Sequence, residues 1–306
     1  MRVTASPDRL ALLDVDFIEA APPWRSGCRW LGGVRREAWL PATTVHESFD
    51  AGLHRRDAGS LAVVGLHRPL AADADPAATT EALYRALFAA VRPSAQPYLI
   101  RIWNFFGAIN AGPGDAERYR RFCVGRDAAA DAMFRDPPPA ATAIGAPATD
   151  APLSVVALCS ARPGIALENP RQTPAWQYPR EHGPVAPGFS RGALLHDEEG
   201  TLLLASGTAS IVGHVSLHAG DVIAQLDESL DNLQVLLEEG SRRGGEHFRP
   251  EGLQALRVYL REPVARAVVE TRLAGRGWPA DRIAFLQGDI CRRELDIELE
   301  GVFAAG

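Results

Sequence analysis

Two stretches of this chain, about half its length apart, carry the same succession of hydrophobic periods, and that repetition restricts the fold more than any single motif does. In the first, residues 77–91 (AATTEALYRALFAAV) have a helical period, 99–103 (LIRIW) read as a strand, and 115–134 read as a helix. Residues 142–146 (TAIGA) and 153–159 (LSVVALC) then read as strands. The second stretch repeats the order. Val222, Ile223, Leu226, Leu230, Leu233 and Leu237 stand at helical spacing behind Asp221, a suitable N-cap, and predict a helix over 221–239. A strand at 253–260 (LQALRVYL), a helix with Pro263 in its first turn (263–275), and strands at 282–288 and 295–303 follow. Arg101 and Arg257 sit in corresponding strands, 156 residues apart. Ahead of the second long helix, 192–209 (GALLHDEEGTLLLASGTA) reads as a hairpin turning at EEG. Each half therefore reads as β-β-α-β-α-β-β, an α+β class with helices packed on one face of a mixed sheet. The boundary is expected near Ser160–Pro163, giving units 1–160 and 161–306.

Composition narrows the chemistry. The 306 residues contain 32 basic and 38 acidic side chains, a net charge of −6, and no lysine, so every cation is an arginine. Schiff-base chemistry, a Walker-A phosphate loop and a lysine general base are thereby excluded. The acidic balance argues against a nucleic-acid partner. An anionic ligand would have to be held by local arginine clusters against the overall field. No apolar run approaches the ~20 residues of a membrane span and the first residues lack a signal-peptide core, so no membrane association and a cytoplasmic location are expected. Cys28, Cys123, Cys159 and Cys291 are far apart and form no CxxC pair, which predicts free thiols and no structural zinc. His214 and His218 have i,i+4 spacing but no third ligand beside them, so no metal site is expected.

The last strand carries the sharpest chemical pattern. Leu295, Ile297 and Leu299 alternate with Asp296, Glu298 and Glu300, which puts the carboxylates on one face. That face is either solvated or the wall of a cleft. In a cleft, desolvation and like charge would raise one carboxyl's pKa and make it a general acid near neutral pH. Cys291, seven residues before Glu298, reads by itself as a small apolar filler. The loop 168–192 is rich in arginine, proline and aromatics; Arg171, Arg180 and Arg191 beside Tyr178 suit a carboxylate ligand, or are simply solvated. Residues 206–214 (SGTASIVGH) place small side chains, among them Gly207 and Ala209, where a ligand can approach backbone; the spacing is not that of a dinucleotide loop.

The segments ENPRQ…YPR…GPVAPGFSR (168–191), SGTASIVGH (206–214), RIWNFFGAIN with RYRRFCVGR (101–126) and GDICRRELDIELEG (288–301) resemble the chorismatase family, enzymes that cleave chorismate to pyruvate and a cyclic acid. The resemblance spans roughly residues 95–306, and residues 1–90 contribute little to it. It implies two RidA/YjgF-like (chorismate-mutase-like) halves, the first degenerate and the second carrying most of the active site. It implies Glu298 and Cys291 as catalytic residues, Glu298 being the acid that protonates the enolpyruvyl methylene. Tyr178, Arg191, Arg257, Gly207 and Ala209 are the expected substrate contacts, Arg257 resting on its place opposite Arg101 in the repeat. No metal or organic cofactor is implied. Cysteine at position 291 points to 3-hydroxybenzoate, with 4-hydroxybenzoate as a further product; these acids lead towards aryl polyene pigments and ubiquinone. Alternatives are hydrolysis to a dihydroxycyclohexadiene carboxylate, a RidA-like imine deaminase, or a small-ligand binding protein. A homotrimer is the expected assembly, unless the internal repeat supplies the interface within one chain.

Overall fold

A computed structural model describes residues 1–19, 24–50 and 52–306. The first 160 residues run β1 (Arg2–Thr4), β2 (Leu13–Asp16), β3 (Arg29–Gly33), β4 (Arg36–Leu40), β5 (His46–Asp50), β6 (Leu53–Ala58) and β7 (Leu61–Arg68). Then come α1 (Pro76–Val91), β8 (Tyr98–Gly107), α2 (Arg118–Ala129), α3 (Ala132–Arg135), β9 (Ala140–Ala146) and β10 (Leu153–Ser160). The rest is β11 (Ile165–Leu167), β12 (Gly192–Asp197), β13 (Gly200–Ala205), β14 (Ile211–Val212), β15 (Val215–Ser216) and α4 (Val222–Gly244). The chain ends with β16 (Leu253–Leu260), α5 (Arg266–Gly275), β17 (Ile283–Gln287) and β18 (Ile297–Ala304).

The repeat is real in topology. One sheet has the order β5-β6-β7-β10-β8-β9; the other has β11-β12-β13-β18-β16-β17, with β3 added at its far edge. Numbered within each half, both read 1-2-3-6-4-5. Both are mixed, because β8–β9 and β16–β17 are parallel while the neighbouring pairs are antiparallel. Each half begins with one more strand than the pattern predicts, β5 and β11. The latter is three residues long, too short to show a period. A small sheet, β1-β4-β2, covers one side, and residues 29–33 extend the sheet of the second half rather than that of the first.

Helix ends follow local chemistry. Asp221 caps α4 by accepting from the backbone N–H groups of Ile223 and Ala224, as its position suggests. The helix runs past the expected Glu239 to Gly244 and stops at Gly245, whose φ of 72° ends it in the left-handed region. The expected helix over 115–134 is broken: Asp115 lies in a 3₁₀ turn, α2 ends at Ala129, and Asp131 caps the short α3.

Packing forms four layers. Leu83, Tyr84, Leu87 and Phe88 of α1 with Phe122 of α2 cover one face of the first sheet. Leu226, Leu233 and Leu237 of α4 with Val269 and Leu273 of α5 cover one face of the second. The bare faces meet: Trp103, Phe105, Val156 and Leu158 of the first sheet share a core with Leu204, Tyr259, Leu286 and Val302 of the second. No helix is long and apolar enough to cross a membrane, among the described residues.

Candidate active site

On β18 the side chains of Ile297 and Leu299 pack beneath α4 and α5, so those of Glu298 and Glu300 enter the layer between the sheets. The acidic face is therefore not solvated: both carboxylates are 4% exposed. Their environments differ. Glu300 accepts from Arg101 Nη2 at 2.8 Å, Arg257 Nη1 at 2.6 Å, Thr142 Oγ1 at 2.7 Å and Tyr259 OH at 3.1 Å. Burial pushes its carboxyl up, but the two guanidiniums outweigh burial and hold it below the usual range. Glu298 has no such partners. Burial, then the neighbouring Glu300 charge, raise its pKa to about 8, so it is protonated at neutral pH.

Glu298 opens onto a cavity of about 310 Å³ walled by both halves. Tyr178, Arg191, Gly207, Ala209 and Cys291 line it together; the loop at 112–114 and Glu117, Tyr119 and Arg120 close it from the first half. Backbone hydrogen bonds in both directions between Thr208 and Leu299 (2.7 and 2.9 Å) lay 207–209 against β18. A Cβ at position 207 would lie 2.0 Å from Glu298 Oε1, so any larger residue there would displace the Glu298 carboxyl. Burial, then the Glu298 charge, push the Cys291 thiol far up, so it is a neutral thiol and not a thiolate.

Arg191, 5% exposed, donates from Nη2 to Tyr178 OH at 2.6 Å and to the Thr173 carbonyl at 3.0 Å, while its Nε has no partner. Behind it, Glu168 Oε1 accepts from the Arg191 backbone N–H at 3.2 Å, and burial lifts the Glu168 pKa to about 7 despite Arg191. Arg292 stacks on the Tyr178 ring (5.1 Å to the centroid), is held by the His214 carbonyl and Ser216 Oγ, and keeps Nη2 free. Two guanidiniums, each with a nitrogen that has no partner, thus line one cavity, and guanidiniums suit carboxylates.

Arg257 is a correction. It does not reach the cavity. Glu37 takes its Nε and Nη2 (both 2.9 Å), Glu300 takes Nη1, and Trp24 lies under the guanidinium at 4.3 Å. Its strand neighbours on that face point into the intersheet core, where a cation persists only when paired. Arg292 and Arg120 supply the positive wall instead, and sequence reasoning missed both. Arg292 stands next to Cys291 in a quoted motif, whereas Arg120 is indistinguishable from its neighbours in RYRRF until the sheets are packed. Arg171 and Arg180 pair with Glu228 and Asp115, outside the cavity lining.

Residues 37–159 match the family model described as chorismatase FkbO/Hyg5-like, N-terminal, so the likeness begins well before residue 95. A chorismatase of Streptomyces hygroscopicus is 35% identical over 284 residues, covering 88% of this chain and 79% of that protein. A 3-hydroxybenzoate synthase of the same organism is 34% identical over 237 residues, 73% of this chain and 68% of that protein. Among solved structures, a chorismatase superposes with a TM-score of 0.77 at 31% identity, over 88% of this chain and 82% of that one.

Proposed function

This chain belongs to the chorismatase family, and we propose that it converts chorismate to pyruvate and 3-hydroxybenzoate, with Glu298 as the proton donor. The observation that carries this reading is the splitting of two carboxyls on one strand face, Glu300 ionised and Glu298 neutral with a pKa of about 8, at a cavity that also holds Cys291. Chorismate is a dianion. The free N–H groups of Arg191 and Arg292 suit its carboxylates, and Tyr178, held by both arginines, sets their spacing.

Glu298 donates its proton to the enolpyruvyl methylene carbon, leaving an oxocarbenium ion and the Glu298 carboxylate. That carboxylate and Glu300, fixed before the reaction begins, stabilise the cation. The ring hydroxyl captures the cation within the molecule as a cyclic ketal. Loss of the proton on the ether-bearing ring carbon, returned to Glu298, then expels the captured hydroxyl oxygen from its own ring carbon and aromatises the ring. As that oxygen becomes the keto oxygen of pyruvate, the bond from the pyruvate carbon to the original ether oxygen breaks, leaving it on the ring as 3-hydroxybenzoate. Atoms balance without water: chorismate alone accounts for pyruvate plus hydroxybenzoate. Cys291 acts at this branch as a neutral side chain that occupies the place water would need.

The test is direct. Purified, EDTA-treated protein mixed with chorismate should release pyruvate, followed through lactate dehydrogenase, with hydroxybenzoate appearing in equal amount by chromatography. Absence of pyruvate above a protein-free blank overturns the reading; pyruvate accompanied only by dihydroxycyclohexadiene carboxylate overturns the intramolecular step alone.

A further inference from the structure

At the edge of the cavity three side chains from two separate segments converge. His182 Nε2 lies 3.1 Å from His214 Nδ1, and Glu181 Oε1 lies 3.5 Å from the former and 3.4 Å from the latter. An ion with bonds of about 2.0–2.1 Å in tetrahedral geometry sets its ligand atoms about 3.3–3.4 Å apart. The triangle's edges of 3.1, 3.4 and 3.5 Å bracket that spacing. An ordinary imidazole–carboxylate hydrogen bond is shorter, as His54 Nε2 to Glu47 Oε1 at 2.8 Å shows in the same molecule. Both Glu181 distances are too long for that bond and suit a shared central atom.

From this triangle we infer that Glu181, His182 and His214 form a binding site for a zinc-class divalent ion at the mouth of the cleft. The frame supports it. His214 sits in the tight turn between β14 and β15 beside Gly213, whose φ is 58°, and its carbonyl is gripped by Arg292 at 2.8 Å. His182 stands in a 3₁₀ turn with its ring 5.0 Å from that of Tyr178. Arg292 and Arg120 oppose a dication, and the Glu181 carboxylate offsets part of that repulsion. Three protein ligands leave a fourth position open, the arrangement of an exchangeable rather than a structural site. His218, the sequence-based partner of His214, turns to Glu228 at 3.7 Å and takes no part. The ion has no role in the proton transfer at Glu298.

The experiment is a titration of the full chain with zinc by calorimetry, and with cobalt(II) by its tetrahedral ligand-field absorption. Neither needs chorismate, so failure here leaves the chorismatase reading standing. One zinc per chain is expected. His182→Ala and His214→Ala should each weaken binding at least about tenfold, since losing even an outer partner of a metal site costs 10–100-fold. Glu181→Gln, at an exposed position that the fold does not need, should weaken it as well and guards against a folding defect in the histidine variants. No saturable binding by the wild-type chain overturns the site. So does zinc binding that survives all three substitutions, which would assign it to the free thiols instead.

Discussion

The two halves share a strand order and differ where it matters. In β10, Leu158 pairs with Arg101 and Val156 with Trp103; at the same register in β18, Glu300 pairs with Arg257 and Glu298 with Tyr259. The first half has kept the arginine and has valine and leucine where the second has its two carboxylates. Arg101 therefore has no acid opposite it in its own sheet, and it crosses the intersheet layer to Glu300. Glu300 accepts from both pseudo-symmetric guanidiniums, Arg257 being shared with Glu37, and their charge keeps it ionised while Glu298, two residues away, stays neutral. The comparison teaches that a carboxyl can be kept neutral by what a degenerate repeat retains as well as by what its own repeat carries.

Making position 298 as inert as its counterpart Val156 is the strongest way to break the asymmetry. Glu298→Gln keeps the shape and loses the proton, so turnover should fall about 10²–10⁴-fold while chorismate still binds, measured by steady-state kinetics and calorimetry. Glu300→Gln cuts the link between the halves. Leaving the buried Arg101 guanidinium without its acid should cost about 3–5 kcal/mol, read by denaturant unfolding. The same substitution removes the charge that raises the Glu298 pKa. Because the acid must be protonated, wild-type activity should hold below and decline as pH climbs through about 8, and in the variant that alkaline limb should move to lower pH. An unmoved limb would mean that Glu300 is structural only.

Arg191 and Arg257 sharpen the contrast between cavity and core. A charge-assisted hydrogen bond contributes about 1.5–3 kcal/mol, so Arg191→Ala should lower kcat/KM roughly ten- to a hundred-fold with little loss of stability. Arg257→Met should do the reverse in kind, costing stability first, because its partners Glu37 and Glu300 stay buried. The smallest effect on rate is expected from Cys291→Ala. Pyruvate release should stay within a few-fold, while dihydroxycyclohexadiene carboxylate appears at the expense of hydroxybenzoate. An unchanged product ratio with about 1–2 kcal/mol of lost stability would make the thiol packing alone.

Much of this was legible beforehand. Helical period and an N-cap at Asp221 located α4, strict alternation put Glu298 and Glu300 on one face of a strand, and the motif residues Tyr178, Arg191, Gly207, Ala209 and Cys291 do share one cavity. Local rules reach that far because backbone geometry sets which side chains share a face. They do not reach Arg257: its strand pattern is the same whether the face it occupies meets a ligand or another sheet. They also miss Arg120, which lines a wall built by the opposite half, and the pairing of His182 with His214, 32 residues apart with three strands between them.

By itself, then, the sequence determined the elements, the repeat, and an acidic strand face with a cysteine and arginines nearby, all consequences of side-chain period and residue chemistry over a few residues. Only the tertiary structure decided what that face touches. Desolvation and charge pairing depend on groups that packing brings together, as Arg101 and Glu300 are brought together across 199 residues. Carboxyls two residues apart thereby become a fixed anion and a neutral acid.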